Sequence, residues 1–255
     1  HMTEVGSLYV PAPGDMATVD NAIASFSEDD LLGTGVLRKL RTMKNVLEAL
    51  SRRVDCVVAN PPYLTSGKFD AYLSDWVKTY YPNEKSDLCT CFIKRGFSLT
   101  SNNGYSSMVT MHSWLTQRTY KGMRQLIIDT KDIAVLIDLG SGAFEQIVGD
   151  VVQVCATVLL NQHFSLLGTY MDLQEYGSSS DKRTALVTAI NDGYQNHTHL
   201  KSLSDFAHLP DCTISYGFTA AMCRAFSSDM LLGDYAPGSV GIQTGNNAVF
   251  IKTWW

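Results

Sequence analysis

Residues Asn60-Pro61-Pro62-Tyr63 bring together groups that can act on an amino group. The Asn60 side-chain carbonyl and the Pro61 main-chain carbonyl are hydrogen-bond acceptors, and the two prolines fix φ and remove two backbone donors. An exocyclic amine is a weak nucleophile because its lone pair is delocalised into the ring, and two rigid acceptors can draw it out of the ring plane. Tyr63 adds an aromatic face on which a base can stack. These residues therefore predict a site that binds and polarises the amino group of a nucleobase.

The tetrapeptide directly follows residues 54–59, a hydrophobic run that is typical of a buried strand. In open α/β sheets, ligands bind at the carboxyl ends of the strands, and this loop is predicted to lie there. Asn-Pro-Pro is also a common turn sequence after a strand. By itself, the tetrapeptide leaves that purely structural role open.

Helical and extended patterns alternate around this loop. Apolar residues recur at helical spacing in four segments, 35–51, 69–81, 86–101 and 116–130. Strands are predicted at 54–59, 105–111, 133–139 and 151–160. Ser86-Asp87 is predicted to cap the third helix. This alternation predicts the α/β fold class, with a parallel sheet and crossover helices.

Composition excludes several other classes of protein. The chain has 255 residues, 45% of them hydrophobic, which is enough for the core of one or at most two domains. No run approaches the ~20 apolar residues of a membrane span, so no membrane association is expected. The six cysteines lack zinc-binding spacing and indicate reduced thiols in a cytoplasmic protein. With a net charge of -5, the chain needs a local basic groove, or another domain, to bind nucleic acid.

An ordered series of motifs extends the pattern beyond the tetrapeptide. It comprises Lys85-Ser86-Asp87-Leu88, the strand and loop from Gly104 to Leu115, Ala143-Phe144-Glu145, Gly149 to Gln153, and Gly241 to Asn247 with Phe250. Together these stretches resemble adenine-specific DNA methyltransferases of the PglX type, which belong to phage-defence systems, and the related large restriction-modification methylases. The resemblance covers residues 60–254 in family order.

The resemblance implies a Rossmann-like methyltransferase domain that transfers a methyl group from S-adenosylmethionine to the amino group of adenine in DNA. The expected catalytic residues are Asn60, Pro61, Pro62 and Tyr63. Contacts to the flipped adenine are expected from Tyr63, Phe144 and His112. The expected cofactor contacts are Gly6, Ser7, Leu8 and Asn60. The main cofactor loop is expected to precede Thr3 and to be absent, which leaves the carboxyl-side half of the sheet in a fragment that is inactive alone.

The same interpretation divides the chain and names its partners. Residues 3–162 are expected to be the methyltransferase part, and residues 163–255 an extension leading to a target-recognition domain. The partner is double-stranded DNA with a flipped adenine. A strand that has lost its neighbour would expose an apolar edge at Val54, Val57 and Val58, which predicts self-association or residues 5–10 folded back as a substitute strand.

Three alternatives stay open from the sequence. Gly140 and Gly142 imitate a cofactor loop and would make the chain a permuted amino-methyltransferase. The chain could instead be a non-catalytic DNA-binding or assembly module of a defence complex. An Asn-Pro-Pro-Tyr loop also occurs in enzymes that methylate RNA or a protein glutamine. No metal site is expected, because His197 and His199 lack an evident third ligand.

Overall fold

The computed structural model describes residues 5–26, 33–144, 152–193, 197–226 and 235–236. In this part of the chain, six strands form one mixed sheet in the order β1-β2-β4-β3-β5-β6. The strands are β1 (Val54–Ala59), β2 (Thr100–Met111), β3 (Asp132–Gly140), β4 (Val154–Leu160), β5 (Leu167–Asp172) and β6 (Thr198–Ser202). The predicted α/β class is confirmed.

The described helices include those that the periodicity predicts. They are α1 (Asp15–Ala24), α2 (Gly33–Ser51), α3 (Ala71–Tyr80), α4 (Leu88–Leu99), α5 (Lys121–Thr130), α6 (Ser179–Asn191), α7 (Ser204–Ala207) and α8 (Ala220–Phe226). Carboxylates cap two of them. Asp70 accepts from the Leu73 amide at the start of α3, and Asp87 accepts from the Cys89 amide at the start of α4. The predicted cap of α4 is therefore confirmed at Asp87.

The strand directions bring four carboxyl ends to one edge of the sheet. β1 pairs parallel with β2, and β3 pairs parallel with β5. β4 runs antiparallel to both β2 and β3, and β6 runs antiparallel to β5. The sheet is thus mixed rather than parallel, because β4 fills the gap between β2 and β3 in the opposite direction. The carboxyl ends of β1, β2, β3 and β5 form what we call the carboxyl edge.

The sheet continues across the expected domain boundary at residue 162. β5 and β6 lie beyond it, yet they pair with β3 and with each other. Tyr170 of β5 and Phe206 of α7 join the main core cluster with Ile133 and Leu136 of β3. The extension expected from residue 163 therefore begins inside the same sheet, and a separate recognition domain stays a prediction. The motifs from Gly149 to Val151 and from Gly241 to Phe250 lie outside the described residues.

The amino-terminal segment does not pair with β1. Gly6–Leu8 form a short 3-10 helix, and Arg95 of α4 donates to the main-chain carbonyls of Ser7 and Leu50 at 2.8 Å each. Leu8 packs with Val77 and Cys91 on the helices. The expectation that residues 5–10 replace a missing strand is therefore wrong, because a buried guanidinium and apolar packing hold them against α4.

The outer edge of β1 is exposed in the described part of the chain. β1 pairs with β2 alone, and Val58 and Val54 are 76% and 45% exposed. Val57 points to the opposite face and packs against the core. The predicted exposed apolar edge is thus present at Val54 and Val58.

No described helix has the length and apolar character that a membrane crossing requires.

Arg124 of α5 holds two loops together through their main-chain carbonyls. Its fully buried guanidinium donates to the main-chain carbonyls of Trp114 and Gln117 after β2, at 2.7 and 2.8 Å. It also donates to the carbonyls of Asp211 at 2.8 Å and Cys212 at 3.1 Å. Burial lowers the pKa of Arg124 from its ordinary value. These bonds hold the segment after β2 against the segment that precedes residue 214.

Glu84, in the turn between α3 and α4, is a buried acid with little compensation. It is 1% exposed, and neither carboxyl oxygen has a hydrogen-bond partner among the described residues. The nearest cation, Lys94 Nζ, lies 3.9 Å from Oε1. Burial, the largest cause, raises the pKa of Glu84, and Lys94 partly opposes that change.

We expect the free energy of unfolding to fall as pH rises above the ordinary glutamate range. Between the unfolded and the folded pKa of Glu84, the folded state holds a proton that the unfolded state has released, so folding is favoured at the lower pH. Glu84→Gln should stabilise the chain at pH 7 by on the order of 1 kcal/mol and flatten this dependence. Urea unfolding at pH 5 and pH 7 measures both. Glu48→Gln on α2 is the control, and an equal effect there would contradict the assignment.

Candidate active site

The Asn60-Pro61-Pro62-Tyr63 loop leaves the carboxyl end of β1 and folds back over β2. Ala59 pairs with Met108 in the parallel register, so Asn60 lies beside Val109. The Tyr63 hydroxyl is 3.2 Å from Asn60 Oδ1 and 3.3 Å from the Val109 carbonyl oxygen. A phenol has one proton, so it donates to one of these acceptors at a time. The loop thus brings the Asn60 amide and the Tyr63 ring together, and their catalytic roles stay predictions.

Main-chain hydrogen bonds join the residues that follow Tyr63 to the start of α4. The Leu88 amide donates to the Leu64 carbonyl at 2.9 Å, and the Ser66 amide donates to the Ser86 carbonyl at 2.9 Å. Asp87, which caps α4, lies between these two bonds and is 3% exposed. The pairing of β1 with β2 before the loop and these bonds after it restrict the loop. This restriction favours a preorganised site.

Accessibility differs along the tetrapeptide. Asn60 and Pro62 are exposed, Tyr63 is half-buried and Pro61 is buried. Burial, the largest cause, raises the pKa of Tyr63 to about 12, and the nearby Cys89, Cys155 and Asp87 add to the increase. Tyr63 is therefore a neutral hydrogen-bond donor at physiological pH. Asn60 is open to a ligand that approaches the carboxyl edge.

His112 follows β2 at the same edge and contacts a buried carboxylate. Its main-chain amide donates to the Gln153 carbonyl at 3.0 Å, and its Nδ1 is 3.5 Å from Asp138 Oδ2. Asp138, in β3, is 2% exposed. Its Oδ2 also accepts from Tyr216 Oη at 3.0 Å and Gln174 Nε2 at 3.1 Å. Its Oδ1 accepts from the amide of Gly140, at 3.2 Å.

An open cleft of about 260 Å³ lies beside Asp138, and we call it the Asp138 cleft. Its walls combine polar groups with aromatic side chains, and the lining includes His112, Asp138, Asp172, Gln174, Tyr216 and Phe218. The sequence did not predict Asp138, Gln174 or Tyr216 as site residues. A single charge near the carboxyl end of an apolar strand was the available signal for Asp138. Gln174 and Tyr216 carry no local signal, because they reach the cleft from other parts of the chain.

Phe144 lies just beyond the end of β3 and is half-buried. Three inter-strand spacings separate β3 from β1, which amounts to roughly 14 Å at the backbone. The structure thus places Phe144 and the Tyr63 loop at one edge, and a second aromatic wall for a flipped base stays a prediction. Glu145, its neighbour in the motif, lies outside the described residues.

Gly6, Ser7 and Leu8 are not brought to Asn60. They lie on the side of α4 that faces away from the sheet, where Tyr81 Oη donates to the Leu8 carbonyl at 2.6 Å. The other side of α4, with Ile93 and Phe97, packs on the core. A helix therefore separates this segment from the sheet, and the predicted contact of Gly6, Ser7 and Leu8 with the cofactor stays a prediction.

Gly140 and Gly142 serve the packing of two loops. Both have positive φ, at 59° and 70°. A Cβ on Gly140 would approach Gln174 at 3.0 Å, and one on Gly142 would clash with the Gly177 carbonyl oxygen. The space beside these glycines is therefore filled by the chain itself. Their strand, β3, also has an antiparallel neighbour, which differs from the all-parallel surroundings of a cofactor strand in a doubly wound sheet.

His197 and His199 take part in separate contacts. His197 Nδ1 is 3.2 Å from Glu175 Oε1, and its Nε2 is 2.9 Å from the hydroxyl of Tyr176. The His199 ring lies 5.7 Å from the Tyr216 ring. Among the described residues, no three His, Cys, Asp or Glu side chains form a group that could hold a metal ion.

A mixed α/β sheet with an Asn-Pro-Pro-Tyr loop at its carboxyl edge agrees with the amino-methyltransferase class that the sequence predicts. Comparison with protein families agrees, since residues 21–144 match the Eco57I restriction-modification methylase model. Residues 21–144 are therefore similar to the methylase domain of that family.

Two curated relatives extend this match over most of the chain. The adenine-specific methyltransferase PglX of Lacticaseibacillus casei (strain Zhang) is 34% identical over 218 residues, which are 85% of this chain and 18% of that protein. The adenine-specific methyltransferase BrxX of Escherichia coli O9:H4 (strain HS) is 32% identical over 206 residues, which are 80% of this chain and 16% of that protein. The chain thus spans less than a fifth of either relative's length.

A solved structure supports the fold. The cryoEM structure of the DrdV-DNA complex matches with a TM-score of 0.51 at 15% identity, over 73% of this chain and 20% of that one. At this identity, the match concerns the fold alone.

Proposed function

We propose that this chain forms the adenine-binding side of a DNA methyltransferase that transfers a methyl group from S-adenosylmethionine to the exocyclic amine of adenine. The observation that carries the proposal is the exposed Asn60 amide at the end of β1, with the Tyr63 hydroxyl 3.2 Å from its Oδ1. The names of the two relatives, both adenine-specific methyltransferases, support adenine as the substrate. We propose double-stranded DNA as the partner, since the family that residues 21–144 match is one of restriction-modification methylases.

In the proposed reaction, the chain's own residues hold the base and its amine. Asn60 Oδ1 and the Pro61 carbonyl accept the two amino hydrogens, which draws the nitrogen lone pair out of conjugation. The Tyr63 ring stacks on the base, which must be flipped out of the duplex to reach this edge. The incoming amine replaces the Tyr63 hydroxyl on Asn60, and the hydroxyl keeps the Val109 carbonyl, 3.3 Å away, as its acceptor. Phe144 and His112 are proposed as further contacts to the base.

The described residues fit the base better than the methyl donor. S-adenosylmethionine needs a glycine-rich loop at the end of a strand in parallel surroundings. Within the described sheet, no strand has parallel neighbours on both sides. Gly6–Leu8 lie behind α4, and the spaces beside Gly140 and Gly142 are filled. We therefore propose that the main cofactor loop is not among these residues, while Asn60 borders the cofactor site.

We expect Asn60→Ala in the full-length natural protein to lower methyl transfer at least about 100-fold, since a preorganised acceptor at the reacting amine is lost. Cofactor binding should stay near normal. Tyr63→Ala should weaken handling of the flipped base by about 1–3 kcal/mol of stacking, whereas Tyr63→Phe should be mild. Transfer of labelled methyl groups to duplex DNA measures all three variants. Full activity in Asn60→Ala would remove the basis of the proposal.

Calorimetry of the 255-residue chain with S-adenosylmethionine should show weak or no binding. The physical reason is that the described residues provide no open glycine loop for the methionine part. Amide chemical shifts recorded in the same titration locate any binding that occurs. Micromolar affinity with shifts at Gly140 and Gly142 would instead favour the permuted arrangement of motifs.

We propose that the exposed edge of β1 makes the isolated chain self-associate. Unpaired backbone groups next to apolar side chains such as Val58 are prone to pair with another strand. Light scattering should then show a concentration-dependent mass that Val58→Lys reduces to that of a monomer. Leu200→Lys is the matched control, because Leu200 is 62% exposed on β6, the other edge strand. A monodisperse wild-type monomer would contradict this proposal.

A further inference from the structure

The buried Asp138 carboxylate controls which hydrogen bonds its neighbours can offer. A carboxylate only accepts, so each group that contacts it must supply a proton. Tyr216 uses its single proton on Asp138, and Gln174 uses its amide nitrogen at 3.1 Å. For His112, the contact at 3.5 Å is a hydrogen bond only when Nδ1 carries the proton. In the neutral ring, Nε2 is then an acceptor.

His112 is within reach of a base bound by the catalytic loop. Asn60 lies beside Val109, and His112 is three residues further along the chain, directly after β2. The neighbouring strands are about 4.8 Å apart, and three residues advance about 10 Å, so the two backbones are roughly 11 Å apart. An Asn and a His side chain can span this distance with an amino group between them. Tyr63 already crosses from β1 to the Val109 carbonyl.

We propose that Asp138 is a positioning residue that holds His112 as the Nδ1–H tautomer, so that Nε2 accepts a proton from the target amine. This inference rests on the proposed function. After methylation, the amine nitrogen is positively charged and must lose one proton. One of its two hydrogens leaves Asn60 Oδ1 for His112: the N–H bond breaks, the electron pair stays on that nitrogen, and a new Nε2–H bond forms on His112. The resulting imidazolium faces the Asp138 carboxylate, which stabilises its charge.

The chain contains a matched pair at the other end of the same strand. Asp132, the first residue of β3, is fully buried, and its Oδ1 is 3.3 Å from His163 Nδ1. Its Oδ2 also accepts from the Phe164 amide. Like Asp138 and His112, this pair joins a buried aspartate and a histidine, but His163 Nδ1 also lies 3.1 Å from the Lys131 carbonyl oxygen, and the pair is at the opposite edge, away from Asn60. Replacing Asp132 therefore measures the structural cost of removing a buried aspartate from β3.

The first test reads the tautomer on the 255-residue chain itself, without any activity. Nitrogen-15 spectra of labelled histidine should show His112 protonated at Nδ1 in the wild type. Asp138→Asn should move the population toward the Nε2–H form, whereas Asp132→Asn should leave His112 unchanged. A wild-type His112 protonated at Nε2 alone would overturn the proposal.

The second test separates kcat from KM in the full-length natural protein. Asp138→Asn and His112→Gln should each lower kcat about 10-fold or more, with KM for duplex DNA within about 2-fold. The double variant should lose no more than either single one, because the residues act as a unit. Asp132→Asn should keep the wild-type kcat. His112→Gln keeps Asp138 in place and tests the proposal even if Asp138→Asn folds poorly.

Two results would overturn the inference. One is a wild-type kcat in His112→Gln. The other is an equal kcat loss in Asp138→Asn and Asp132→Asn that follows their melting temperatures, which would mark both as structural. A wild-type protein that does not methylate adenine would overturn the proposed function, whereas the tautomer result is independent of it.

Discussion

The buried guanidinium of Arg124 is the interaction on which the carboxyl edge depends most. A buried charge is costly unless hydrogen bonds replace the water it loses, and Arg124 achieves this with four main-chain carbonyls. Two of these carbonyls follow His112 closely in sequence, and the other two precede Tyr216. One side chain of α5 therefore fixes both walls of the Asp138 cleft. Arg95 does the same for Gly6–Leu8 and the end of α2, so arginine–carbonyl bonds replace regular secondary structure in holding both loops.

Strand direction explains why two polar sites share one edge. The parallel pairs β1–β2 and β3–β5 both direct their carboxyl ends there, and antiparallel β4 separates the pairs. The Asn60 loop leaves the first pair, and Asp138 belongs to the second. His112 connects them, because it follows β2 yet contacts a side chain of β3. The edge thus contains an exposed amide that can bind a base and a buried carboxylate that orients the groups beside it.

The contact between Tyr63 and Asn60 has a simple physical meaning. The Asn60 amide oxygen is an acceptor, and the Tyr63 phenol lies 3.2 Å away as a donor within the same loop. Because burial keeps the phenol neutral, the bond can move to the Val109 carbonyl without a change of charge. A ligand that has a hydrogen-bond donor of its own can therefore replace the phenol on Asn60 Oδ1. An amine has such a donor, whereas a carbonyl group does not.

The sequence by itself determined the local features of this protein. Residues 54–63 encode a strand and a rigid loop of acceptors, Asp87 encodes a helix cap, and the periodicities encode most helices, because near neighbours in the chain decide these features. Only the tertiary structure decided that Gly6–Leu8 lie behind α4, that β5 and β6 complete the sheet, and that Asp138 collects its partners. His112 and Tyr216 reach that carboxylate from 26 and 78 residues away. Contacts over such distances depend on strand order and packing, which no local pattern specifies.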